Sequence, residues 1–360
     1  MQRKIYASVI WERLKRLDFF WLLHKAYTYL FLKIESRLKT GYSPPPLACG
    51  LVVTENCNLR CPMCVLPHRF QSHPNNQPTA AWKQVLDQLH ELGLGGIAIS
   101  GGEPLTRPDA LQLLQHAKSP RNTVTLNSNL MLLTEAGIAD LLEVDFDNVN
   151  VSIDSGREEI NDQLRGGKGV LARVLDRIGA LARARDARGK KFSITAVTTL
   201  SDLNVDDLDV LFQKVAPSGA DRICFIPLHD IANGKSFLAR SEKVSPNLYE
   251  TLLALSHRYG LPLENSSSYL RGFYHVMTGG VMPERCNAGY THLVMGADFK
   301  IYRCIPYMNT ARFLFQWDPK GKSLKQLWNS PKWRQDRLEA LNCKECFWDC
   351  HAELTFLVPM

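Results

Sequence analysis

The sequence predicts an α/β fold on a parallel sheet, and three observations carry that expectation. Short apolar or alternating runs at residues 49–55, 96–100, 123–127, 147–153, 192–198 and 222–227 have the length of strands. Helical periods fill the gaps between them, so strand and helix alternate as in six βα units. The chain has 360 residues, 45% of them apolar, enough for a substantial core in one large domain or two modest ones.

Residues 1–40 read as one or two helices. Ile10, Leu14, Leu17 and Trp21 recur at helical spacing, and Leu23, Tyr27, Leu30, Ile34 and Leu38 continue the stripe. Nine Lys and Arg here face only Glu12, Asp18 and Glu35, a net +6 of the chain's +7. The longest charge-free runs, Phe19 to His24 and Ala26 to Leu32, are far shorter than the roughly 20 residues that cross a bilayer. Aromatics mixed with excess cations suit a helix lying in a membrane interface, and the same stripe suits packing on the main domain. Periodicity alone does not choose between them. A nucleic-acid enzyme would carry its positive field around the active site rather than on one arm, so nucleic acid is not expected as a partner. Ser43-Pro44-Pro45-Pro46 ends the arm as a stiff spacer. The expected units are an arm over 1–46, a core over 47–235 and a C-terminal domain over 236–360.

Within the core, Thr79 reads as the cap of a helix bearing Trp82, Val85, Leu86 and Leu89, and Pro108 precedes one bearing Leu111, Leu113 and Leu114. Leu171, Val174, Ile178 and Leu181 mark another, Leu208, Leu211 and Phe212 the next. Beyond the sixth strand, Ser245-Pro246 caps a helix running to about Tyr259. Parallel sheets of this kind keep ligand-binding residues at the C-terminal ends of their strands.

The chemistry-bearing motif follows the first strand: Cys57-x3-Cys61-x2-Cys64. Three soft thiolates can hold three irons of a [4Fe-4S] cube and leave the fourth open. Structural zinc wants four ligands, and only His68 lies close by. The spacing is too tight for a disulfide framework, and eight of the ten cysteines fall in two metal-like groups, with no cleavable signal opening the sequence. A reducing cytosol is expected. After the second strand comes Ser100-Gly101-Gly102-Glu103-Pro104, where paired glycines permit close backbone approach and a carboxylate follows.

Together the three-cysteine loop, the strand before it and Gly-Gly-Glu-Pro resemble the radical S-adenosylmethionine (radical SAM) superfamily. The resemblance implies a partial (β/α)6 barrel and a cluster bound by Cys57, Cys61, Cys64 and SAM. It further implies an electron from a donor such as flavodoxin or ferredoxin, and hydrogen abstraction by a 5′-deoxyadenosyl radical. Gly101, Gly102 and Glu103 match the element that binds the methionyl amine. Asn127, Ser152 and Asp154, polar residues at strand ends, suit ribose hydroxyls or the SAM carboxylate, and Arg165 matches a basic residue set against that carboxylate. Lone polar residues also serve as strand-end caps or surface ion pairs.

The C-terminal 75 residues hold Cys286, Cys304, Cys343, Cys346 and Cys350. Leu293 to Arg303 reads as a β-hairpin turning at Gly296 to Asp298, which brings Cys286 and Cys304 together at its base. A helix from about Ser323 then leads to Cys343-x2-Cys346-x3-Cys350. This order resembles the SPASM/twitch extensions of radical SAM enzymes, in a shortened form with one auxiliary [4Fe-4S] cluster on Cys286, Cys304, Cys343 and Cys346. Cys350 replaces one of these, lies idle or donates a hydrogen atom. A zinc ribbon satisfies the same tetrathiolate pattern.

The expected function is a radical SAM enzyme acting on a small-molecule or lipid-linked substrate, with oxidation, epimerisation or bond formation as the outcome. No leader-binding domain is expected ahead of the barrel, and the basic aromatic arm suits a cytoplasmic enzyme sitting peripherally on a membrane. Maturation of a ribosomally made peptide is the alternative within the enzyme class. A zinc-binding interaction protein is the alternative outside it.

Overall fold

The computed structural model describes residues 19–65, 77–232, 235–238, 240–282, 284–344 and 346–357. Ile10, Leu14, Leu17 and His68, singled out above, lie outside them, and so does the side chain of Cys350. Among the described residues the arm contributes one helix, α1 (Phe19–Leu38), before the proline run. The core then alternates: β1 (Ala48–Val52), α2 (Thr79–Leu92), β2 (Gly96–Ser100), α3 (Ala110–Ala117), β3 (Thr123–Ser128), α4 (Glu135–Leu142) and β4 (Asn148–Ser152). It continues with α5 (Glu158–Arg165), α6 (Val170–Ala187), β5 (Ser193–Leu200), α7 (Leu208–Val215) and β6 (Arg222–Pro227). All six expected strands are present and pair in parallel in that order.

Each strand carries two faces because side chains alternate. Ile97, Ile99, Val124, Leu126, Val149 and Val151 point to the helix side, where they pack with Trp82, Leu86, Leu113, Leu141 and Ile178 in the main core. The other face is small or polar: Gly50 sits beside Ala98, Ala98 beside Thr125, Thr125 beside Asn148 and Asn127 beside Asn150. A ladder of amides ties this inner face together, with Asn150 donating to Asn127 at 2.9 Å, Asn148 to Asn150 at 2.6 Å and Thr195 to Asn148 at 3.1 Å. The barrel interior is therefore hydrogen-bonded rather than filled with apolar side chains.

After β6 come β7 (His229–Ala232), β8 (Lys235–Leu238), α8 (Leu248–Tyr259) and α9 (Ser267–Met277). The expected hairpin follows as β9 (His292–Met295) and β10 (Lys300–Tyr302), then α10 (Ile305–Asn309) and β11 (Phe315–Gln316). The chain closes with α11 (Leu324–Trp328), α12 (Pro331–Ala340) and α13 (Asp349–Leu357). β9 lies parallel to β1, with Gly50 opposite Val294, and the sheet order is β11-β10-β9-β1-β2-β3-β4-β5-β6. The hairpin thus extends the core sheet on its β1 side, and the sheet stays open, ending at β6 and β11.

Local details differ from the sequence expectation in identifiable ways. Thr79 is the first helical residue of α2, not its cap; Pro78 holds the cap position, and the Thr79 hydroxyl donates to Asp109 instead. Helix α5, short and with only Ile160 and Leu164 apolar, and the polar α12 were not anticipated. Their ends are set by polar groups: Asp162 accepts from the Gly169 and Val170 amides after α5, and Ser330 caps α12 through the Trp333 amide. The Ser323 start of α11 is a full capping box with Gln326.

His292 begins β9 with both ring nitrogens buried and without a hydrogen-bond partner among the described residues. Burial lowers its pKa from 6.5 to about 4, so the folded chain refuses a proton that the unfolded chain accepts below pH 6.5. Stability contributed by this neutral imidazole is lost as pH falls through that window. Denaturant unfolding is expected to show a loss of about 2 kcal/mol from this residue between roughly pH 7 and pH 5. His292→Leu should remove that part of the pH dependence.

Candidate active site

The three-cysteine loop leaves β1 and is gripped by backbone on two sides. Gly102 N donates to Thr54 O at 2.8 Å and Glu103 N donates to Asn56 O at 2.7 Å. A Cβ on Gly101 would lie 2.6 Å from Thr54 O, and one on Gly102 would collide with the Asn56 carbonyl. On the other side Gly166, at φ +61°, packs its Cα against the Arg60 carbonyl. So the glycines of Gly-Gly-Glu approach the cysteine loop itself, and only residues without a side chain fit there. Asn129, just past β3, adds a bond from its amide to Asn58 Oδ1 at 2.9 Å.

Glu103 is 1% exposed and ties the ends of two strands together. One oxygen accepts from Leu105 N at 3.0 Å and Ser128 Oγ at 2.8 Å; the other accepts from Asn129 N at 2.7 Å. Burial pushes its pKa up, and these three bonds oppose the shift. A carboxylate has about four acceptor positions, so one remains.

Within the loop, Cys57 and Cys64 are half-buried and Cys61 is buried. Burial raises the pKa of Cys57 and of Cys61, and the Cys61 charge adds to the rise at Cys57, which places the two thiols in one electrostatic neighbourhood. Arg165, at the end of α5, opposes the rise at Cys61, whose thiol donates to the Arg165 carbonyl at 3.3 Å. Arg165 Nη2 in turn donates to Asp154 Oδ1 at 2.7 Å, and Thr199 N donates to the same oxygen at 2.8 Å.

Asp154 Oδ2 and Arg165 Nε are both buried with no hydrogen-bond partner among the described residues. Two orphaned polar atoms of opposite character beside a cluster-type thiol fit a polar, charged ligand at this spot. Burial raises the Asp154 pKa, and the Arg165 charge works against that. Asn127 accepts within the amide ladder, and Ser152 ends β4 on the same face. The residues that hold Asp154 were not visible in the sequence. Asn161 accepts from its amide at 3.0 Å, and Asn204 donates to its carbonyl at 2.7 Å. An asparagine in a turn carries no spacing that announces such a partner.

A cavity of 380 Å³ opens beside the loop. Pro62 and Met63, between two of the cysteines, form one wall with Leu164 of α5; Ser201, Asp202 and Leu228 come from the ends of β5 and β6, and His229, Arg240 and Met277 complete it. Asp202 accepts from Ser241 Oγ. Arg240 has no hydrogen-bond or ion-pair partner among the described residues. His229 donates from Nδ1 to Pro227 O at 2.9 Å and accepts from Phe347 N at 3.0 Å. It also stacks on Trp348 at 4.7 Å, and burial lowers its pKa to about 3. This neutral imidazole therefore pins the segment after Cys346 to the cavity wall.

The hairpin brings Cys286 and Cys304 into one small buried cluster with Ala288, against which Cys343 and Tyr307 pack. Burial pushes Cys286 and Cys304 up to about 12, and each is raised further by Cys343. Cys346 lies well above its ordinary value, through burial and then through Cys304, Cys286 and Cys343. These four thiols share one environment, with a buried cation at its edge. Arg303 donates to Asp336 Oδ1 at 3.1 Å and lies 3.8 Å over the Tyr307 ring, while its Nε has no partner among the described residues. Among the described residues, no three His, Cys, Asp or Glu side chains converge as around a single metal ion. The described cysteines are all free thiols.

The chain matches the family model described as Radical SAM superfamily over residues 51–215. Streptococcus suis SuiB bound to S-adenosylmethionine superposes with a TM-score of 0.66 at 19% identity, over 86% of this chain and 75% of that one. SuiB bound to precursor peptide SuiA gives 0.64 at 18% identity, over 86% and 73%. Native anSMEcpe with bound AdoMet and Cp18Cys peptide gives 0.59 at 18% identity, over 83% and 84%. At these identities the likeness is one of fold.

Gly102→Ala forces a Cβ onto the Asn56 carbonyl and is expected to destabilise the fold by about 2–4 kcal/mol. Denaturant unfolding checks this. Gly189→Ala, with open space around it, serves as the contrast and should cost only about 1 kcal/mol, the strain of an alanine at φ +62° without any clash.

Proposed function

From the match of residues 51–215 to the radical SAM superfamily model, we propose that the chain is a radical SAM enzyme that uses S-adenosylmethionine, and that Cys57, Cys61 and Cys64 hold a [4Fe-4S] cluster to which SAM binds. The strongest support is the pair of orphaned atoms, Asp154 Oδ2 and Arg165 Nε, beside Cys61. When bound, the cluster and SAM together supply a 5′-deoxyadenosyl radical that removes a hydrogen atom from the substrate. The chain's own residues bind and orient. Arg165 meets the SAM carboxylate with its free Nε, and the remaining acceptor position of Glu103 serves the ammonium, beside the backbone of Gly101 and Gly102. Asn127, Ser152 and Asp154 address the ribose hydroxyls.

Cys286, Cys304, Cys343 and Cys346 hold an auxiliary [4Fe-4S] cluster, and the buried Arg303 offsets its negative charge. Cys350 is the hydrogen-atom donor if the outcome is epimerisation. A flavodoxin- or ferredoxin-type protein delivers the electron.

The substrate occupies the 380 Å³ cavity, a size suited to a small molecule or the head of a lipid-linked precursor. Its partly apolar walls and the cation Arg240, which has no partner among the described residues, fit a group that carries a phosphate or carboxylate. A ribosomally made peptide is the second reading, favoured by the peptides bound to SuiB and anSMEcpe.

Anaerobic reconstitution should yield about eight irons per chain from two clusters. Cys61→Ala should abolish SAM cleavage and leave about four irons. SAM turnover surviving in that variant would overturn the assignment. Arg240→Ala should slow product formation about tenfold or more while 5′-deoxyadenosine formation stays within about twofold, because only substrate seating is touched. Assay of both products on one sample separates the two effects.

A further inference from the structure

Helix α1 carries two apolar faces, and the described residues cover only one. On the covered face Leu32 packs with Tyr290 and Leu341, and Glu35 accepts from Gly41 N at 2.5 Å, Thr40 Oγ1 at 2.6 Å and Tyr290 Oη at 3.3 Å. The buried Arg337 secures the chain just beyond, donating to Gly41 O at 2.9 Å and to Gly289 O at 2.7 Å. The helix is therefore fixed to the body of the molecule. On the opposite face Tyr27, Leu30, Ile34 and Leu38 follow one another at helical spacing and are 49–66% exposed. Six of the ten exposed large apolar side chains among the described residues fall between residues 27 and 42, so the exposure is concentrated and not the ordinary scatter of a surface. A groove of 370 Å³ continues the face past the end of the helix to Tyr42 and Pro44.

Charge decides what fits it. Lys33 and Arg37 border the stripe on the helix, Lys39 follows it, and the first 40 residues hold +6 of the chain's +7. A second copy of this chain would bring the same positive charge to the contact and be repelled. An anionic bilayer brings apolar depth and negative charge together, and no helix among the described residues is long and apolar enough to cross it. We propose that this face docks on an anionic lipid surface, with α1 lying in the plane of the interface. Tyr27, Leu30, Ile34 and Leu38 enter the boundary between headgroups and acyl chains, and Lys33, Arg37 and Lys39 meet lipid phosphates.

The inference does not depend on the chemistry at the cysteine loop, and its test needs only the purified full chain. Sedimentation with vesicles of phosphatidylcholine containing about 30% phosphatidylglycerol should pellet the protein, and about 0.5 M salt should weaken the binding. The triple variant Leu30→Ser, Ile34→Ser, Leu38→Ser should lower the partition coefficient about tenfold or more, with an unchanged thermal unfolding midpoint because all three side chains are exposed. Lys33→Glu with Arg37→Glu should lose binding to the anionic vesicles by a similar factor. Absence of binding by the unaltered protein, or undiminished binding by the triple variant, would overturn the proposal. So would sedimentation equilibrium showing a dimer that the triple variant converts to monomer, since a second copy would then own the face.

Discussion

The packing of backbone on backbone between Gly101-Gly102-Glu103 and Thr54-Glu55-Asn56 is what the site depends on. Three thiols on a loop have no fixed positions of their own, because a loop without partners pays conformational entropy for every geometry it holds. Here two hydrogen bonds from β2's end clamp the start of the loop, Gly166 closes on Arg60, and Asn129 holds Asn58. Glu103 then anchors the clamp itself to β3 through Ser128 and Asn129. The motif that reads as a ligand cradle in the sequence is, in the folded chain, first a device for holding the cysteine loop still. A ligand that meets the loop there meets surfaces already in place.

Much of this was legible from the letters alone, for physical reasons that differ by element. The six parallel strands announced themselves because apolar runs of strand length are hard to place elsewhere in a chain that alternates with helical periods. The hairpin at Gly296 to Asp298 was legible from its turn, and Cys286 and Cys304 meet at its base as that turn requires. Helices α5 and α12 were not visible, because α5 has only Asn161 and Leu164 buried and α12 buries Asp336 and Arg337 among its few inward residues. Polar residues facing inward give no periodic signal. The parallel pairing of β9 with β1 was also hidden, since register between strands some 240 residues apart leaves no mark in either one. The orphaned Asp154 Oδ2 could not be read at all. Its meaning lies in the atoms around it.

The inner face of the sheet explains why the interior can serve chemistry. If Thr125, Asn127, Asn148 and Asn150 were large aliphatic residues, they would fill the barrel as the helix-facing side is filled. Amides in that position must find partners or cost free energy, and they do so by bonding along β4 and across to β3. The ladder fixes side-chain rotamers without closing the space above them. Polar groups near the strand ends can then face a ligand while the deeper layer stays rigid.

The two thiol groups are mechanically coupled through elements the sequence treats as unrelated. The hairpin bearing Cys304 at its end is hydrogen-bonded in register to β1, the strand that launches the first cysteine loop. On the far side of the sheet, His229 leaves β6 and accepts from the amide of Phe347, the residue after Cys346. Its other nitrogen is spent on Pro227 O, so the ring has no proton to exchange and no reason to move. One group of thiols is thus tied to the sheet at two places, through β9 and through His229 just past β6, while the other leaves β1, a strand that lies between them. The distance between the two groups is set by the sheet and the elements tied to it, not by a flexible linker.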